Sequence, residues 1–145
     1  MRNMFTNSLF DCPIDSFDVS KVKDLRFMFT NGNYNHPLSS WQTGNVGRFT
    51  KMFAYSAFNQ PIQNWNMSST IELTSMFEGN SAWNHDLCSW GSTVPSTANV
   101  NKMFWQAIQC PEASVDPVLA SSPPGPFCYS CASTSTSTPV APTTI

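Results

Sequence analysis

The chain has 145 residues, of which 41% are hydrophobic and 13% aromatic, so a single domain with an apolar core fits its length. Charged residues make up only 11%, against a usual share of about 25%, and the net charge is −2. Such a surface does not attract phosphates, which argues against a nucleic-acid partner. No apolar run approaches the roughly 20 residues of a membrane-spanning helix, so we expect no membrane insertion in this segment.

A Met-Phe dipeptide recurs along the chain at spacings of 24, 24, 24 and 27 residues, and we number the repeat units 1 to 5 by these dipeptides. They begin at Met4, Met28, Met52, Met76 and Met103. Other columns keep the same register: a first aromatic residue (Phe10, Tyr34, Phe58, Trp83), an aliphatic residue (Ile14, Leu38, Ile62, Leu87) and a second aromatic residue (Phe17, Trp41, Trp65, Trp90). One such unit cannot bury its apolar face alone, whereas stacked units share a continuous core.

Each unit is predicted to contain one short helix and one short strand. Val22, Leu25 and Phe29 fall on one stripe of a helix, and Ser69 and Glu72 have the spacing of a capping box. Segments such as QPIQNW, with proline near their start, favour a short strand. These elements predict an α/β repeat solenoid of about four 24-residue coils, and the period lies within the range of leucine-rich repeats.

Three regions are predicted along the chain. The repeat solenoid covers residues 1–109, a Cys- and Pro-rich C-terminal cap covers 110–131, and a Ser/Thr/Pro-rich tail, predicted to be disordered, covers 132–145. The chain starts inside a unit without a polar cap, and MRNMFTNSLF lacks the apolar stretch of a signal peptide. We therefore expect a fragment of a longer array, the alternative being that residues 1–10 form a minimal cap.

Four of the five cysteines lie in the last coil and the cap: Cys88, Cys110, Cys128 and Cys131. The leading interpretation is two disulfides that lock the cap, although the sequence does not choose among the three possible pairings. The alternatives are free thiols, or a zinc site in which Cys128-x-x-Cys131 supplies one pair of ligands. Cys12 is left over.

A small basic group is predicted on the helical side of two adjacent coils: Lys21, Lys23, Arg26, Arg48 and Lys51. It is a candidate binding face, because a binding protein should carry an unusual cluster on one face, whereas a spacer should look alike in every coil. An ordinary solvated surface is the structural interpretation. Asn66-Met67-Ser68 is a sequon, so Asn66 is a candidate N-glycosylation site if the chain is secreted.

Two polar columns invite functional interpretations, but structural roles are favoured. His36 and His85 should lie about 10 Å apart across two coils, too far for one metal ion. The column of Asn35, Asn59 and Asn84 could line a ligand groove. We expect it instead to form hydrogen bonds with the backbone of neighbouring turns.

The second aromatic column is expected to belong to the core, because large aromatic residues recur in it at the core period. An exposed row at these positions would instead suit stacking against sugar rings.

The stretch AFNQPIQNWNMSSTIELTSMF, residues 57–77, resembles the BspA-like leucine-rich repeats of the family once called DUF285. The likeness covers roughly residues 1 to 109 and departs from the family pattern at Cys12, Phe17 and Thr70. The resemblance implies a right-handed solenoid on surface proteins of bacteria and microbial eukaryotes, associated with adhesion and protein binding rather than catalysis. No binding site of that family maps onto individual residues here.

The sequence thus predicts a non-catalytic protein-binding or adhesion module of a secreted or cell-surface protein, with a protein or surface glycan as partner. We expect no enzyme, because neither histidine has a matching nucleophile and acid in any motif, and no phosphate-binding glycine loop is present. No cofactor is expected. The alternatives are a structural spacer in a longer surface array and a carbohydrate-binding module with an exposed aromatic row.

Overall fold

The computed structural model describes residues 1–131, and the tail of residues 132–145, predicted to be disordered, lies outside the described residues. Within residues 1–131 the one helix is a short 3-10 helix, Cys88–Ser92, and the remainder consists of turns, bends and isolated β-bridges. The predicted α/β repeat solenoid, with a strand and a helix in every coil, is therefore wrong. In the same range no helix combines the length and the apolar character that crossing a membrane requires.

The repeat units are joined by backbone hydrogen bonds that run from each unit to the next. In the Met-Phe segments these bonds alternate with local ones. The N–H of Phe29 donates to the carbonyl of Met52 in the following unit (3.0 Å), whereas the N–H of Met28 donates to Leu25, three residues earlier (3.3 Å). Each segment thereby satisfies some donors within its own turn and the others across the boundary between units.

A left-handed residue at every fourth position prevents the Met-Phe segments from forming helices. Phe27 and Asn31 have φ angles of 59° and 54°, and Lys51 and Tyr55 repeat the pattern one unit later at 54° and 52°. An L-residue in this region cannot continue a right-handed helix, so the chain forms successive four-residue turns instead.

The apolar spacing that predicted a helix is present, but it belongs to these turns. Leu25, Met28 and Phe29 are all buried, at positions i, i+3 and i+4, the spacing also expected of a helix. The predicted capping box is wrong for the same reason. The hydroxyl of Ser69 donates to the carbonyl of Gly44 in the preceding unit (2.6 Å) and does not accept an N–H of a helical turn.

Within residues 1–131, parallel β contact consists of one bridge between each successive pair among the first four units. The bridges join Asp24 to Arg48, Arg48 to Glu72, and Glu72 to Asn99. In each unit a left-handed residue follows three positions later, so the extended backbone ends before a ladder can grow. Within residues 1–131 the segments of the QPIQNW type, where strands were predicted, contain no bridge.

The second half of each unit is held against the preceding unit by its tryptophan. The indole N–H groups of three tryptophans donate to backbone carbonyls of the aliphatic column one unit earlier. Trp41 donates to Ile14 (3.1 Å), Trp65 to Leu38 (3.0 Å) and Trp90 to Ile62 (3.3 Å). The three rings are buried and stack at centroid distances of 6.2 and 6.4 Å. These residues therefore do not present the exposed row that sugar stacking requires.

The asparagine column connects neighbouring turns, as expected. The side-chain oxygen of Asn35 accepts the N–H of Asn59 (2.8 Å), and that of Asn59 accepts the N–H of Asn84 (3.2 Å). The Nε2 atom of His85 lies 3.1 Å from the carbonyl oxygen of Asn59, and His36 makes the equivalent contact with the unit before it. The two histidines therefore satisfy backbone groups at a turn.

A column of phenylalanine rings runs through the centre of the core. The rings of Phe5, Phe29, Phe53, Phe77 and Phe104 follow one another at centroid distances between 5.4 and 5.6 Å. Such parallel stacking excludes water from the interior of every unit. Phe127 of the C-terminal segment is also fully buried in this core.

Candidate functional site

The predicted basic face is largely neutralised by neighbouring carboxylates. Arg26 forms a two-point ion pair with Asp24, with its closest contact at 2.7 Å. Arg48 lies 3.7 Å from a carboxylate oxygen of Glu72, and Lys51 lies 3.6 Å from Glu78. Exposed pairs of this kind contribute little to stability, but they reduce the positive potential that a binding face would need.

The ionisation of the two acidic partners agrees with this pairing. The hydrogen bond from Arg26 holds the pKa of Asp24 below its ordinary value. Partial burial raises the pKa of Glu78, but hydrogen bonds from Tyr55 and Ser75 and the charge of Lys51 outweigh that effect, so its pKa is lowered overall. Both carboxyl groups are therefore charged at neutral pH.

Lys21 and Lys23 are the two predicted basic residues without an ion pair in residues 1–131, and both are exposed. Two unpaired lysines at one edge of a mixed-charge surface do not make a basic patch.

Asn66 lies on the surface, as glycosylation would require. Its side-chain oxygen accepts the N–H of Ser68 (3.0 Å), a local turn formed within the sequon itself. Its amide nitrogen faces Gly44 of the preceding unit, where a Cβ atom would approach it to 3.0 Å.

The four cysteines of the C-terminal region form two disulfides, Cys88–Cys131 and Cys110–Cys128, with Cα–Cα distances of 5.5 and 4.9 Å. This pairing leaves no thiolate among them for the zinc site considered as an alternative. Cys12 is a free, exposed cysteine.

The Cys88–Cys131 disulfide and backbone hydrogen bonds attach the C-terminal segment to the fourth unit. The N–H of Leu87 donates to the carbonyl of Phe127 (3.3 Å), and the N–H of Glu112 donates to Cys128 (3.1 Å). A Cβ atom at Gly91 would lie 3.2 Å from Pro124, so the segment packs closely against the 3-10 helix. The segment thus covers the tryptophan half of the last complete unit.

An apolar groove of about 260 Å³ lies beside the last Met-Phe dipeptide. Its lining residues are Trp105, Gln106, Ile108, Ala113 and Ser114. Trp105 is 43% exposed and Ile108 is 72% exposed, unlike the aromatic and aliphatic column residues of units 2 to 4, which are buried. Large apolar side chains around a concave surface are typical of a site that binds another molecule.

Backbone donors border this groove. The N–H groups of Lys102 and Gln106 donate to no carbonyl within residues 1–131. One repeat earlier, the equivalent N–H groups of Ser75 and Gly79 donate to the next unit at 3.0 and 2.7 Å. The chain from Lys102 to Gln106 therefore offers, at an apolar groove, backbone donors of the kind that the other units use to bind their neighbour.

This groove was not predicted from the sequence, although the repeat itself contains a signal. The residue after Met-Phe is Thr6, Thr30, Ala54 and Glu78 in the first four units, and Trp105 in the fifth. A tryptophan in a column of small or polar residues is the kind of exception expected of a binding surface. The predicted basic residues lie in units 1 and 2 and do not join this groove.

The repeat region matches the model of one protein family, described as "Mycoplasma protein of unknown function, DUF285", over residues 1–115. The chain matches no curated protein and no solved structure. The match agrees with the DUF285 part of the resemblance seen in the sequence, while the leucine-rich-repeat part is not confirmed. Because the matched range covers most of the 145 residues, the chain belongs to the DUF285 family.

Proposed function

We propose that this protein is a non-catalytic protein-binding module and that its binding surface is the groove at Trp105 and Ile108. The observation that carries the proposal is the replacement of a small or polar residue by an exposed tryptophan in the fifth unit alone. Tryptophan is over-represented among the residues that dominate the energy of protein interfaces. The neutralised basic face offers no comparable feature.

The occupant that fits the groove is an extended segment of a partner protein with one large apolar side chain. The side chain would fill the space between Trp105 and Ile108, where water is displaced from apolar surface. The backbone carbonyls of the same segment would accept the N–H groups of Lys102 and Gln106, as the next unit does elsewhere in the repeat. Addition of an extended segment to an open backbone edge is a recurrent mode of peptide recognition.

Two features support a location outside the cell as part of this proposal. Disulfides persist in oxidising compartments, and this chain forms two of them. Asn66 is exposed and would be available for glycosylation there. Adhesion to a surface protein is the form of binding that suits such a location.

The second candidate is a structural spacer. The regular contacts between units support it, because four units present similar polar columns to solvent. A spacer gives no reason for Trp105 to be exposed, so that position separates the two functions.

The proposal is tested by selecting linear peptides from a display library on the oxidised 145-residue protein. A parallel selection uses Trp105→Thr, which restores the residue of the first two units. We expect peptides with a central aromatic or aliphatic residue, bound at least about thirtyfold more weakly by the variant, since truncation of a central tryptophan costs about 2 kcal/mol or more.

Ile71→Ser is the matched control, because Ile71, like Trp105, is an exposed large apolar residue, but it lies in the third unit. Amide chemical shifts of the labelled protein should then move at Lys102, Gln106 and Ile108 when a selected peptide is added. Peptides that bind wild type and Trp105→Thr equally, or no enriched peptide at all, would overturn the proposal in favour of the spacer.

A further inference from the structure

The two disulfides differ in their access to solvent. Cys110 and Cys128 are buried, with 5% and 0% of their surface exposed. Cys88 and Cys131 are only partly buried, and Cys88 lines an open cleft of about 340 Å³ together with Gln63, His85, Asp86 and Ser89. A cleft of this size admits a small molecule next to Cys88.

We propose that Cys88–Cys131 is a thiol-exchange site, and that a small-molecule thiol modifies Cys88 through this cleft. The thiolate of the small molecule attacks the Sγ atom of Cys88. A new disulfide forms between the small molecule and Cys88, the Cys88–Cys131 bond breaks, and Cys131 leaves as a thiolate that takes a proton from water. A second small-molecule thiolate can then attack the mixed disulfide, which releases Cys88 as a thiol and the small molecule as its own disulfide.

The accessible disulfide should therefore react first. Exchange requires the attacking sulfur to approach one of the two disulfide sulfurs, which burial prevents at Cys110–Cys128. Cys88, by contrast, lines the open cleft. The buried Cys110–Cys128 disulfide remains intact after the first exchange.

The charge of Asp86 moderates this reaction. Its carboxylate and the sulfurs of Cys88 and Cys131 all lie within 4.8 Å of one another. A negative charge at this distance repels the incoming thiolate and disfavours the thiolate that leaves at Cys131. The residue therefore keeps the disulfide closed at low thiol concentrations.

Breaking this bond releases Cys131 from the fourth unit, because the disulfide with Cys88 is the covalent cross-link between them. The Cys110–Cys128 disulfide and the hydrogen bond from Glu112 to Cys128 remain. Exchange thus frees Cys131 while the preceding part of the C-terminal segment stays in place.

The experiment is a time course of the oxidised full-length protein with glutathione, followed by alkylation and peptide mass spectrometry. Cys12, which is free and exposed, is labelled from the start and serves as an internal standard. We expect glutathione on Cys88 and alkyl label on Cys131 while Cys110 and Cys128 remain oxidised. Earlier labelling of Cys110 and Cys128, or simultaneous opening of both disulfides, would overturn the proposal.

The substitution Asp86→Asn tests the role of the cleft, because it removes the negative charge near Cys88 and keeps the shape of the side chain. Loss of the charge should speed opening of Cys88–Cys131 by about two- to fourfold at physiological salt. Asp18→Asn is the matched control, because it removes an exposed carboxylate from the first unit. An unchanged rate in Asp86→Asn, or an equal acceleration in Asp18→Asn, would contradict attack beside Asp86.

Discussion

The first and third units contain equivalent residues in very different surroundings. Phe17 is 45% exposed, whereas Trp65, in the same column, is 3% exposed. Met4 is 49% exposed, whereas Met52 is fully buried. The difference arises because the third unit has neighbours on both sides that cover its apolar column, while within residues 1–131 the first unit is covered from one side.

The contribution of a repeat residue to the stability of the fold should therefore depend on its neighbours as much as on its own type. In the third unit Trp65 lies between two other indole rings and donates to the backbone of the preceding unit. In the first unit Phe17 has no indole N–H to donate. The same column should therefore contribute unequally along the chain.

The sharpest way to break the comparison is to truncate both members of the aromatic column. Trp65→Ala should lower the free energy of unfolding by about 3–5 kcal/mol, because it opens a cavity between two stacked rings. Phe17→Ala should lower it by about 1 kcal/mol, since half of that side chain already contacts water. Denaturant unfolding of the oxidised protein measures both values, and equal losses would contradict the dependence on neighbours.

Removal of the Cys110–Cys128 disulfide offers a second test. Cys110–Cys128 closes a loop with a sequence separation of 18 residues, and loops of this size contribute about 3 kcal/mol through the entropy of the unfolded chain. The double substitution Cys110→Ala and Cys128→Ala should therefore destabilise the protein by about that amount. Thermal unfolding of the variant and of reduced wild type provides the measurement, and a loss below about 1 kcal/mol would show that packing around Phe127 suffices.

The sequence predicted the repeat and its columns because burial imposes the same apolar pattern on every unit. The cysteine pairs were anticipated as a set, and their spatial pairing came from the structure. Helices were wrongly predicted for the Met-Phe segments, which form turns. Turns with a left-handed residue such as Phe27 place apolar side chains at the same i, i+3, i+4 spacing as a helix. Phenylalanine rarely adopts this conformation, so its identity gave no warning.

The groove at Trp105 and Ile108 could not be predicted in the same way, because it depends on contacts outside the repeat. Ala113 and Ser114 complete it from the C-terminal segment, whose path does not follow from any period. Asn80 shows a different limit inside the core. It is fully buried, its amide donates to the carbonyl of Phe58 (3.0 Å), and its oxygen accepts the N–H of Trp83 (3.0 Å). It follows Ser56 by one period of 24 residues, but the sequence alone does not reveal that the polar residues of this column are buried.

A smaller effect is expected in the first aromatic column, where Tyr34 stands between Phe10 and Phe58. Its hydroxyl is buried and makes no hydrogen bond of regular geometry among residues 1–131. This burial raises its pKa to about 12, and a backbone contact with Ile14 offsets only part of that effect. Tyr34→Phe should stabilise the protein by about 1 kcal/mol, because an unsatisfied polar atom is removed while the ring stack is kept.

The matched control is Phe58→Tyr, which adds a hydroxyl to the next buried ring of the column and should destabilise the protein. Denaturant midpoints of the two variants measure the pair, and a loss of stability in Tyr34→Phe would indicate that this hydroxyl has a partner.

The smallest expected effect distinguishes the charged residues of the inner units from those of the first. The folded-state pKa of Glu78 lies below its ordinary value of 4.5, so its charged form stabilises the fold above that pH. This contribution is lost as the pH falls through the lower folded pKa, when the carboxyl group becomes protonated.

Glu78→Gln, which keeps an acceptor for Tyr55 but removes the charge, should be less stable than wild type by under about 1 kcal/mol at pH 7. The difference should shrink below pH 4.5, whereas Asp18→Asn in the exposed first unit should change stability less at every pH. Denaturant unfolding at pH 7, 5, 4 and 3 gives the comparison, and a gap that widens toward acid would reverse the assigned sign.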